Sequence, residues 1–128
     1  MSLRSPLGRV LGHGAAKEGV AHWWNQRVSA LALAPLGLWF LYSLLALPDL
    51  GHATVATWMA RPVNAVLLVL FVATLAYHSQ LGVQVVVEDY IHGKGAKVAA
   101  LVLVRFAHVL AAVAGIFAVL AVALGAPA

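Results

Sequence analysis

His78, Asp89 and Tyr90 sit on one stretch whose residue types suit ligand or redox chemistry. His78 falls inside an apolar run that begins at Val63, and Glu88, Asp89 and Tyr90 close that run with two acids and a phenol. Read as a membrane helix, the segment from His78 to Tyr90 rises ~18 Å, about half of the ~30 Å hydrocarbon thickness. His78 is then deep in lipid and Tyr90 at the water boundary. A polar imidazole at that depth is costly without a partner, which makes it a functional-site candidate. Neutral imidazole is a good axial ligand to haem iron when its other nitrogen is bonded locally. Gly82, one helical turn further on, would let a flat macrocycle approach the backbone. A helix–helix hydrogen bond with no metal is the competing use of the same histidine. One histidine supplies one axial position, so a second ligand must come from elsewhere.

Asp89 and Tyr90 also admit two readings. A tyrosine at that level serves either as an interfacial anchor or as a phenol donating to a carbonyl ligand, with the neighbouring carboxylate tuning it or passing protons. Arg27, at the entrance to the first apolar run, suits a lipid phosphate or a carboxylate of a buried cofactor. Arg105 and His108 interrupt the last apolar run three residues apart, on one helical face. Arg105 can snorkel back to the interface, and His108 is expected to play a structural part.

The elements that must hold these groups are membrane spans. The 128-residue chain is 63% hydrophobic and only 9% charged, far from the roughly one-quarter charged residues of soluble domains. Eight Lys/Arg against four Asp/Glu are too sparse for a nucleic-acid-binding field, so no nucleic-acid partner is expected. The absence of cysteine removes disulfides, Cys-ligated iron–sulfur clusters and covalently attached haem, and leaves His13, His22, His52, His78, His92 and His108 as candidate ligands.

Residues 1–27 carry Pro6, four glycines and scattered basic side chains, and are expected to form an arm rather than a long helix. Trp23, Trp24 and Arg27 read as an interfacial belt. Three spans follow at about 28–47, 62–88 and 98–124, with Pro35 inside the first and Pro62 opening the second. Residues 48–61 read as a loop with Trp58 at the interface, and 125–128 as a short tail. Arg4, Arg9, Lys17, Arg27, Lys94 and Lys97 then share one side and Arg61 alone takes the other. The positive-inside rule gives an all-α, three-span protein with its N-terminus inside and its C-terminus outside.

The run His78-Ser79-Gln80-Leu81-Gly82 through Asp89-Tyr90 resembles the H-x-x-x-G-x(6)-D-Y signature of the hydrophobic membrane anchor subunits of succinate dehydrogenase. His22-Trp23-Trp24-Asn25-Gln26-Arg27-Val28-Ser29-Ala30 resembles the entry to their first helix. The resemblance implies a place in respiratory complex II, in a bacterial inner membrane. It further implies a second anchor (cytochrome b) subunit as partner, with an iron–sulfur subunit and a flavoprotein docking on the inner side and lipids around the spans. On that basis haem b would be shared between the two anchors, with His78 as iron ligand, Gly82 beside it and Arg27 near the haem propionates. Tyr90 would hydrogen-bond ubiquinone, with Asp89 as its acidic neighbour. Succinate chemistry itself has no residues here, because no flavin-binding glycine fingerprint and no cluster ligands are present.

Two other functions fit the residues alone. One is a haem-bearing anchor of another respiratory dehydrogenase. The other is a small transporter or proton-pathway component using His78, Arg105 and His108 as a relay, although no internal repeat of the kind transporters show is visible.

Overall fold

The computed structural model describes residues 18–125. Four helices follow one another: α1 (Glu18–Leu45), α2 (His52–Met59), α3 (Pro62–Tyr90) and α4 (Lys94–Ala123). The described residues contain no strand. Helices α1, α3 and α4 are long and apolar enough to cross a membrane. At 28, 29 and 30 residues they measure about 42–45 Å, more than the hydrocarbon layer needs, so their ends project or the rods tilt.

Local sequence accounts for the breaks. Pro62 opens α3, where the missing N–H costs nothing, and Asn64 Nδ2 donates to the Trp58 carbonyl at 2.8 Å across the α2–α3 corner. At the other end of α3, Lys97 Nζ donates to the Glu88 carbonyl at 2.7 Å, occupying one of the free acceptors of that last turn. Helix α4 stops at Gly125, whose φ of 71° is a left-handed conformation that glycine adopts without strain.

Two elements differ from the sequence expectation. Helix α1 is already helical at Glu18, the first described residue and ten residues ahead of the apolar run at Val28, so His22 to Arg27 are helical. The 48–61 connection contains α2 rather than a plain loop, and its Trp58 is buried rather than interfacial. The Trp58 indole stacks on Trp39 with centroids 5.8 Å apart and packs beside Phe40. With Ala65, Leu68 and Val119 it forms the one sizeable apolar core, at the end of the bundle away from Tyr90.

Helix α3 is the axis of the arrangement. It packs against α1 on one side and α4 on the other, while the backbones of α1 and α4 do not approach each other. The three spans therefore form an open row. Helices α3 and α4 press together at Gly115, where an added Cβ would lie 2.9 Å from Val72 Cγ1.

Candidate functional site

His78 lies near the midpoint of α3 and turns toward α1. Its Nδ1 is 2.9 Å from Ser29 Oγ, and its Nε2 is 3.4 Å from the side-chain nitrogen of Gln26. Ser29 is 5% exposed and is the only buried polar side chain among the described residues. Its hydroxyl hydrogen has two backbone acceptors in its own helix, the carbonyls of Asn25 at 2.7 Å and Gln26 at 3.1 Å. With that hydrogen committed to a carbonyl, Oγ faces His78 as an acceptor, so Nδ1 carries the imidazole proton and Nε2 is left with its lone pair. The Gln26 amide donates weakly to that lone pair.

Beyond Gln26 lies a groove of about 570 Å³ between α1 and α3, lined among others by His22, Trp23, Gln26, Arg27, Gly82 and Glu88. Gly82 forms part of its floor, and a Cβ there would sit 3.7 Å from Gln26 Nε2. Arg27 borders the groove with its guanidinium 5.7 Å from the Trp23 ring centroid, a cation–π contact. Two buried polar atoms in the groove wall, His22 Nε2 and Gln26 Oε1, have no hydrogen-bond partner. His78 does not itself line the groove. A group reaching Nε2 from that side must push the Gln26 amide away, which would release Gln26 Oε1 from its unpartnered position.

The structure thus brings Gly82 and Arg27 to one groove, sets His78 behind the Gln26 amide that lines it, and leaves Asp89 and Tyr90 outside. Tyr90 closes α3 with its side chain 80% exposed, and Asp89 is exposed beside it. Glu88 instead reaches the groove and also ends a ladder along α3: Gln80 donates to Gln84 at 3.3 Å, and Gln84 to Glu88 at 2.8 Å. His108 belongs to the other side of α3, where it meets Ser79 at 3.2 Å, and a second groove of about 250 Å³ runs past Tyr77, Gln80, Arg105 and His108.

The donor set fits an axial haem ligand. An imidazole bonded at Nδ1 to Ser29, a glycine one turn away, a bordering guanidinium and two unpartnered polar atoms all face or flank one groove. Among the described residues no group of three His, Cys, Asp or Glu side chains is placed to hold a bare metal ion, whereas a macrocycle asks this chain for only one ligand. Ser29 and Gln26 were not singled out by their sequence alone. The available signal was their spacing from His22, already a candidate ligand: 22, 26 and 29 share one helical face.

Comparison with known proteins shows the family. Residues 1–124 match the family described as succinate dehydrogenase/fumarate reductase transmembrane subunit. A succinate dehydrogenase hydrophobic membrane anchor subunit of Rickettsia bellii (strain RML369-C) is 36% identical over 117 residues, covering 91% of this chain and 93% of that protein. One of Paracoccus denitrificans is 31% identical over 122 residues, covering 95% and 94%. A succinate dehydrogenase membrane anchor subunit of Reclinomonas americana is 32% identical over 92 residues, covering 70% and 77%.

Proposed function

The chain belongs to the succinate dehydrogenase/fumarate reductase transmembrane subunit family, as a multi-pass membrane anchor subunit of succinate dehydrogenase in a bacterial inner membrane, and from that premise we propose that it holds haem b through His78 and presents Tyr90 to ubiquinone. The observation that carries the haem half is the His78 imidazole, with Nδ1 on Ser29 and Nε2 met by the Gln26 amide at 3.4 Å, beside Gly82. Haem, when bound, supplies a one-electron redox centre in the low-dielectric interior. The chain's residues hold and orient it: His78 fixes its depth, Gly82 leaves room for its plane, and Arg27 offers a bidentate donor to its propionates.

The quinone half rests on position. Tyr90 ends α3 about 18 Å from His78 along the helix, with its phenol free to donate to a quinone carbonyl. Such a donor orients the ring and stabilises charge as the quinone is reduced. Asp89, alongside, can hold or pass the accompanying protons. Charge distribution supports an N-terminus-inside orientation, which sets Tyr90 on the side where the iron–sulfur and flavoprotein subunits dock. The open row of spans supports a second anchor subunit as the partner that covers the groove face and brings the second axial ligand. Purified complex carrying His78→Ala tests the haem assignment: haem per complex is expected to fall to near zero. Full retention would overturn it.

A further inference from the structure

We propose that Ser29 is the positioning residue of the His78 site: it accepts the Nδ1 proton, holds the imidazole in the tautomer whose Nε2 can bind iron, and strengthens that nitrogen as a donor. This rests on the haem reading above, and it adds a residue on a different helix whose role no motif in the chain announces.

Three observations carry it. Ser29 is the sole buried polar side chain among the described residues, at 5% exposure in a span otherwise dressed for lipid. A hydroxyl so placed must be satisfied internally, and partners stand on both sides: the Asn25 and Gln26 carbonyls are acceptors for its hydrogen, and with the hydrogen so used the oxygen is the acceptor for His78 Nδ1 at 2.9 Å. Finally, the bond joins α1 to α3 across 49 residues of sequence, so it fixes the ring against a neighbouring helix rather than within its own turn. The shorter contact is the one to Ser29, and the other ring nitrogen faces Gln26 at 3.4 Å.

The electronic consequence has a definite sign. A hydrogen bond from Nδ1–H gives the imidazole partial imidazolate character, which favours ferric over ferrous iron and holds the reduction potential down. Ser29→Ala removes the acceptor and leaves the buried N–H without a partner. The ring can then rotate or exchange tautomers, and the iron loses donor strength.

The test uses the complete purified complex. Ser29→Ala is expected to retain haem about tenfold less firmly against extraction, with the bound haem's midpoint potential shifted upward and its low-spin ferric electron paramagnetic resonance lines displaced. Ser29→Thr keeps a hydroxyl oxygen and is expected to restore both. Ser29→Cys, near-isosteric with only a weak sulfur acceptor, is expected to shift the potential upward as alanine does, and it serves if the alanine variant does not assemble. An unchanged potential and line shape in Ser29→Ala or Ser29→Cys, while His78→Ala loses the haem, would overturn the role of Ser29 and leave the haem reading standing. Full low-spin haem in His78→Ala would remove both.

Discussion

The hydroxyl of Ser79 donates to Nε2 of His108 at 3.2 Å and ties α3 to α4. The direction follows from the other ring nitrogen, which lies 2.8 Å from the Val104 carbonyl and must therefore carry the proton. Both nitrogens of His108 are occupied within the chain, which favours a structural bond over a relay with His78. Interhelical bonds of this kind contribute about 0.6 kcal/mol on average and at most about 1.7. His108→Ala is expected to lower the thermal unfolding midpoint of the purified complex slightly and to leave the haem spectrum unchanged. A displaced haem spectrum would place His108 in the cofactor's surroundings.

Tyr90 is 80% exposed. Tyr90→Phe removes only the hydroxyl. Quinone reduction is expected to fall while succinate oxidation by artificial acceptors persists, with assembly intact. Parallel loss of both activities would argue against a quinone contact.

Gly82 leaves space that the groove uses. A methyl group there would stand 3.7 Å from Gln26 Nε2, an ordinary contact, so Gly82→Ala is expected to keep haem. Gly82→Leu projects well past that distance into the groove, and haem content is expected to drop sharply. Measuring haem per complex in both variants checks the claim, and equal content in the two would contradict it.

Gly115 sits where α4 presses on α3. The Cβ of Gly115→Ala would come within 2.9 Å of Val72 Cγ1, and relieving such overpacking costs about 1–3 kcal/mol. The thermal midpoint of the complex is expected to fall, and combining the change with Val72→Ala is expected to recover part of the loss. An additive double variant would show that the two side chains do not meet.

Much of this was legible in residue order because lipid imposes simple constraints. Long uncharged runs can only be helices there, Pro62 marks a helix start, and His78 stands out as an imidazole in an apolar run. Two features were hidden for physical reasons. The glycines and basic side chains before Val28 masked the early start of α1, since its polar turn faces the groove and the interface rather than lipid. Helix α2 was short and bounded by Pro48 and Gly51, so Trp58 read as an anchor until its stacking on Trp39 placed it in a core. Ser29 is the subtler case. A serine in a span is unremarkable until the fold sets it opposite His78.

The most direct measurement is chemical rescue of the ligand. Complex carrying His78→Gly should lose the low-spin b-type signal of reduced-minus-oxidised spectra, and added imidazole should restore it by occupying the vacated position on iron. A low-spin signal that survives His78→Gly without added imidazole would contradict the assignment of His78 as the axial ligand.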